Sequence, residues 1–93
     1  MKEKKRVHAF ISGRVQGVGY RYFAHRVADS LGVVGEVKNL RDGRVEVIAE
    51  GEKAVLEHFL DSLRQGPAFA YVASVEADWS EATGKYRDFS ITY

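Results

Sequence analysis

Cysteine is absent from the 93 residues, which excludes disulfides, thiolate metal sites, a catalytic thiol and CxxC redox chemistry together. There is one proline, and no stretch is apolar over the roughly 18–20 residues that a membrane helix needs. The basic start, Lys2, Lys4, Lys5 and Arg6, leads into alternating residues and glycines instead of the apolar core of a signal peptide. A cytoplasmic protein that neither spans nor crosses a membrane is expected. Net charge is only +1, too small for a whole-molecule field that draws nucleic acid or an anionic membrane. What is present (45% hydrophobic, 12% aromatic, 29% charged) suits one self-folding domain over residues 1–93, because two halves would each be too small to bury a core.

The small net charge conceals an uneven distribution. From residue 4 to residue 28 there are six cations, Lys4, Lys5, Arg6, Arg14, Arg21 and Arg26, and no acid. Basic residues confined to one stretch suit a small anion better than a nucleic-acid groove, which spreads its cations over several elements. Lys4, Lys5 and Arg6 themselves read as a solvated basic tail.

Hydrophobic periodicity divides the chain. Residues 7–12 are β-formers stopped by Gly13, and a loop runs from Gly13 to Gly19. From Tyr20 the spacing becomes i, i+3, i+4 through Phe23, Ala24, Val27, Ala28 and Leu31, which predicts a helix ending at Gly32. Residues 33–39 and 44–50 alternate around the turn Leu40-Arg41-Asp42-Gly43, predicting a hairpin. Residues 52–65 return to helical spacing until Gly66-Pro67, residues 71–79 form a fourth strand, and residues 89–93 a short fifth strand or an extension. The order βαββαβ predicts an α+β, ferredoxin-like sandwich: a mixed, mainly antiparallel sheet with two helices on one face.

That fold serves many functions, so function must come from a site. Three glycines in Gly13-Arg14-Val15-Gln16-Gly17-Val18-Gly19 allow a ligand close to the backbone, and the helix that follows points free N–H groups at it. Such a junction suits an anion. It is neither a Walker A loop, having no Gly-Lys-Ser/Thr, nor a dinucleotide GxGxxG, because Tyr20, Arg21 and Tyr22 follow Gly19. Arg21 sits in the first helical turn, where a cation opposes the helix dipole unless the two share an anion. Asn39 has two readings. It supplies hydrogen bonds to its own turn, or its amide, placed on the open face of the sheet, positions a water beside an anion held by the loop.

Other polar residues attract plainer readings. His8, His25 and His58 fall on different elements without HxH or HExxH spacing, so no metal is expected, and nothing beyond residue type supports His8 or His25 as a base. The serines lack a nucleophile elbow. Glu46, Glu50, Glu52, Glu57 and Asp61 read as a solvated face, and Trp79 with the tyrosines and phenylalanines as packing.

The stretch from Gly13 to Arg21 resembles the first signature of the acylphosphatase family, G-x-V-Q-G-V-x-F/Y-R, and Gly35-Glu36-Val37-Lys38-Asn39-Leu40-Arg41-Asp42-Gly43-Arg44-Val45 resembles its second. The resemblance spans essentially the whole chain, with one departure: Glu36 stands where the family usually has an aromatic. It implies hydrolysis of acyl phosphates to carboxylate and inorganic phosphate, without metal or cofactor. Nothing in the sequence demands an oligomer, so a monomer is expected. Arg21 would bind the phosphoryl group, Asn39 would hold the attacking water, and the backbone N–H groups of Gln16, Gly17, Val18, Gly19 and Tyr20 would cradle the phosphate. With no obvious base, the substrate's own phosphate would take the water's proton. The alternatives are a non-catalytic anion-binding module or one acting on a partner protein's intermediate. RNA is not expected, because residues 44–50 carry no aromatic and two acids.

Overall fold

The computed structural model describes residues 3–93, so Lys2 of the basic start lies outside the described residues. The elements are β1 (Lys4–Arg14), α1 (Tyr20–Leu31), β2 (Val34–Asn39), β3 (Val45–Glu52), α2 (Lys53–Gln65), β4 (Tyr71–Glu81) and β5 (Phe89–Thr92). They form one five-stranded sheet in the order β4-β1-β3-β2-β5. Neighbours are antiparallel except β2 and β5, which are parallel. The ferredoxin-like α+β arrangement predicted from periodicity is present, and residues 89–92 are a true fifth strand on the sheet edge.

Alternation on the strands explains the layering. Val7, Ala9 and Ile11 of β1, Val37 of β2, and Val45, Val47 and Ala49 of β3 are fully buried. All lie on the face that meets Ala24 and Ala28 of α1 and Leu56, Phe59, Leu60 and Leu63 of α2. Burying each large side chain contributes roughly 1.5–3 kcal/mol, so this common face is what holds the helices down.

Four expectations change. β1 starts at Lys4, and the supposed basic tail is sheet: Lys5 Nζ lies 2.7 Å from Glu81 Oε2, and Arg6 Nη1 lies 3.3 Å from Glu50 Oε2. Gly13 does not stop the strand, which shifts register between Ser12 and Gly13 and continues to Arg14. Aromatic packing holds for Tyr20, Phe59 and Phe89, but Tyr22, Phe69, Tyr71, Trp79 and Tyr93 are exposed. The acids of the hairpin and α2 are not one solvated face, because Glu50 is 3% exposed.

Glu50 has a structural task that topology dictates. β4 and β5 occupy opposite edges of the sheet, so the chain between them must cross the end of the strands they flank. Glu50, near the end of β3, holds that crossing: its carboxylate accepts from the Thr83 amide at 3.0 and 3.1 Å, from Thr83 Oγ1 at 2.7 Å and from the Gly84 amide at 3.0 Å. Burial alone would raise this carboxyl's pKa. The hydrogen bonds from Thr83, Gly84 and Arg6 outweigh burial and hold it below the ordinary glutamate value of 4.5.

The Glu50→Gln variant places an NH2 group where only an acceptor fits. It is expected to lose about 2 kcal/mol of stability, a fall in Tm of about 10 °C for a domain of this size. Because the folded-state pKa is depressed, the contribution is complete above pH 4.5 and disappears as pH falls through the folded value. Urea unfolding of both proteins as a function of pH checks this, the variant lacking the acid-dependent part.

Candidate active site

β1 and β2 each lie antiparallel to β3, and β5 lies parallel to β2, so all three run in one direction. Their C-terminal ends therefore lie at one end of the sheet. The loop 15–19 leaves β1 there, Asn39 ends β2 there, and Thr92 ends β5 there.

The loop turns through Gly17 and Gly19, with φ of 73° and 78°, a left-handed backbone that costs other residues roughly 1–2 kcal/mol. Gly19 is the N-cap of α1; no side chain caps the helix and its first turn contains no acid. The Phe23 amide closes the first turn on Gly19 O at 3.0 Å, while the amides of Gln16 through Tyr22 have no acceptor among the described residues. Helix starts normally use a Ser, Thr, Asp or Asn cap and favour acids, so a bare start followed by an arginine concentrates positive potential at the loop.

Arg21 is half-buried and held on two sides. Its guanidinium lies 4.8 Å from the centre of the Tyr93 ring, and Nη1 donates to Thr92 O at 3.4 Å. Tyr20 is an anchor: its ring is 1% exposed and its hydroxyl donates to Leu63 O at 2.7 Å. Burial pushes that hydroxyl well above the ordinary tyrosine range, so it stays protonated and donates. Val18, partly buried, packs against the core.

Asn39 is in phase with the buried Val37, so its side chain lies on the helix-covered side of the sheet. The open-face placement expected from sequence is therefore wrong. Its Oδ1 is buried and has no hydrogen-bond partner among the described residues, which excludes the purely local turn role for that oxygen. A buried carbonyl without a donor costs about 1–3 kcal/mol, and a small donor such as water would satisfy it.

These residues share an open cleft of about 290 Å³ lined by Gly17, Gly19, Tyr20, Arg21, Asn39 and Tyr93, with Val15, Tyr22 and Ile91. Of the residues singled out from sequence, Gln16 and Val18 do not line it. Four hollows are larger, two of about 710 Å³ along α2 and two of about 350 and 380 Å³ lined in part by Lys4 and Lys5 of β1, but each also has at least one carboxylate in its lining, whose charge would repel an anion. His8 pairs with Glu46 at 2.6 Å on the open sheet face, and the three histidines stay apart. No group of three or more His, Asp or Glu side chains among the described residues is placed to hold a metal ion. Sequence reasoning missed Thr92 and Tyr93 as neighbours of Arg21, because no local pattern reveals the parallel register that sets Thr92 beside Lys38 of β2.

An unobstructed helix start, a braced arginine and an orphaned amide oxygen meet at one end of a ferredoxin-like sheet, a candidate anion site on a fold of the small α/β sandwich class. Comparison with known proteins narrows the class. The acylphosphatase family profile matches residues 7–91, so the chain belongs to the acylphosphatase family. It is 56% identical to an acylphosphatase of Thermus thermophilus, over 85% of this chain and 90% of that one. It is 44% identical to an acylphosphatase of a Roseiflexus species, over the full length of both. Among solved structures it superimposes on acylphosphatase from Bacillus subtilis with a TM-score of 0.93 and 38% identity, covering 96% of this chain and 99% of that one.

Removing the ring that faces Arg21 should weaken anion binding without disturbing the loop. Tyr93→Ala is expected to raise the Kd for inorganic phosphate about two- to fivefold, as loss of an exposed cation–π contact implies, and Tyr93→Phe to leave it unchanged. Isothermal titration with phosphate measures both.

Proposed function

We infer that the chain is an acylphosphatase in the chemical sense: water cleaves R–CO–O–PO3²⁻ to a carboxylate and inorganic phosphate. The observation that carries this reading is the orphaned Oδ1 of Asn39 in the same cleft as Arg21 and the uncapped start of α1. One part of the cleft suits a phosphoryl group and another suits a water. The names of the relatives at 56% and 44% identity support the same reaction.

The proposed roles follow from position and chemistry. Arg21 neutralises the phosphoryl group, and the N–H groups of Gly17, Gly19 and Tyr20, which line the cleft, cradle its oxygens together with those of Gln16 and Val18 in the same loop just outside the lining. Asn39 accepts a hydrogen bond from the attacking water through Oδ1. The water oxygen bonds to phosphorus, the P–O bond to the acyl oxygen breaks, and the bonding pair leaves on the carboxylate. The water's proton passes to a phosphate oxygen. A leaving group whose conjugate acid has a pKa of about 4 needs no general acid, and phosphoryl transfer depends on positioning and charge stabilisation, so neither metal nor cofactor is required. We propose that the substrate is a free small molecule, with neither nucleic acid nor membrane as partner. The chain acts in the cytoplasm as a monomer, a single domain over residues 1–93.

Hydrolysis of benzoyl phosphate, followed by ultraviolet absorbance with a chelator present, tests the reading. Arg21→Ala is expected to lose phosphate affinity and turnover together. Asn39→Ala should keep most phosphate affinity while kcat falls about 100- to 1000-fold, as loss of a preorganised polar group at the reacting centre implies. Phosphate binding as tight in Arg21→Ala as in wild type would remove Arg21 from the site. Absence of turnover in folded wild type would favour a non-catalytic anion-binding module.

A further inference from the structure

We propose that the side chain of Gln16, as distinct from its backbone, is a positioning residue: it locks the glycine loop to the β2–β3 turn and so sets the distance from the loop to Asn39. The proposal rests on the roles given above to Arg21 and Asn39.

Gln16 Nε2 donates to Leu40 O at 2.8 Å and to Arg44 O at 2.9 Å. Both carbonyls already serve the turn, Arg44 O accepting from the Leu40 amide at 2.8 Å and Leu40 O from the Gly43 amide at 3.2 Å. The carboxamide thus closes a four-bond net with both of its hydrogens used. Residue chemistry is restrictive here. Glutamate would set acceptors against acceptors, asparagine is one methylene too short, and methionine has the length without the donors.

The bridge is adjacent to both halves of the site. Gly17, the first glycine lining the cleft, follows Gln16, and Asn39 precedes Leu40. Strand pairing cannot do the same work, because β1 and β2 are not neighbours and β3 lies between them. The β1–β3 register ends at Ile11 opposite Val45, leaving the loop to continue beyond the last pair. The Arg44 guanidinium 4.7 Å over the Phe10 ring ties the turn to β1 itself, on the open face, and does not reach the loop.

The two halves have different tasks, so the bridge has a distinctive kinetic signature. Phosphate contacts only the loop and Arg21, whereas attack requires the water on Asn39 to meet phosphorus in line. A displacement of about 1 Å between them costs up to roughly 100-fold in rate. Loosening the bridge should therefore lower kcat and leave phosphate affinity nearly intact.

The test is a double-mutant cycle with benzoyl phosphate, using Gln16→Met, Asn39→Ala and the double variant, with the Kd for inorganic phosphate measured on each. Gln16→Met is expected to lower kcat at least tenfold with Kd within about threefold of wild type. In the Asn39→Ala background the same change should lower kcat less than twofold, because no positioned water remains to misplace. Multiplicative losses, or a Kd that weakens in parallel with kcat, would overturn the proposal while leaving the roles of Arg21 and Asn39 standing. An Asn39→Ala enzyme as active as wild type would instead overturn those roles. A second measurement needs no variant: in the wild-type protein, the two Gln16 side-chain amide protons should exchange with solvent at least tenfold more slowly than those of a free primary amide. Exchange at the free rate would refute the bridge in solution.

Discussion

Strand direction is the constraint on which the cleft depends. Because β3 is antiparallel to both β1 and β2, the latter two finish at the same end of the sheet, and the parallel pairing of β5 with β2 brings a third strand end beside them. Residues separated by more than 70 positions, Arg21 and Tyr93, thereby touch. The register is not negotiable: moving β3 by one residue would turn Val45, Val47 and Ala49 from the helix-covered side to the open side and expose every one of them. The same slip would carry Arg44 O away from Gln16. Core burial and site geometry are thus enforced by one set of alternating residues.

Charge follows the same division of the molecule. The site end has a bare helix start and Arg21, with no acid among the residues lining the cleft. At the far end, Glu50 is buried against Arg6 and the amides of residues 83 and 84. A buried carboxylate is tolerable only when its oxygens are satisfied, and here four donor groups converge on it. By holding the crossing from β4, Glu50 fixes where β5 begins, and β5 fixes where Tyr93 ends up. A charge at one end of the sheet therefore helps to set the arginine brace at the other.

Much of this was legible in the residues. Both helices announced themselves through i, i+3, i+4 stripes, and the hairpin through alternation around Leu40-Arg41-Asp42-Gly43, because those signals are local. The loop and Arg21 were legible through motif and charge spacing. What escaped were relations between distant segments. Nothing local to Glu50 tells that residues 83 and 84 pass over it, and nothing local to Lys5 tells that Glu81 lies opposite. Asn39 shows the limit most clearly: its phase with Val37 is local and readable, whereas the side of the sheet on which that phase places it depends on where the helices pack. Tyr71 and Trp79, two of the exposed aromatics, escaped for a related reason. Spacing marks a residue as able to pack, while β4, at the sheet edge, lacks a neighbour on one side to pack against.

The cleft is also where otherwise consistent local rules break. The helix start has a glycine cap where Ser or Asp would add about 1 kcal/mol, an arginine stands where an acid is favoured, and a buried amide oxygen has no donor among the described residues. Each departure lowers stability without a ligand, and under the proposed function an anion and a water in the cleft would make each favourable. Tyr20, anchored through Leu63, and Gln16, bridged to the turn, keep the loop from relaxing into a conformation that satisfies its own groups. Preorganisation in this protein is the combination of unsatisfied groups facing inward and satisfied ones holding them there.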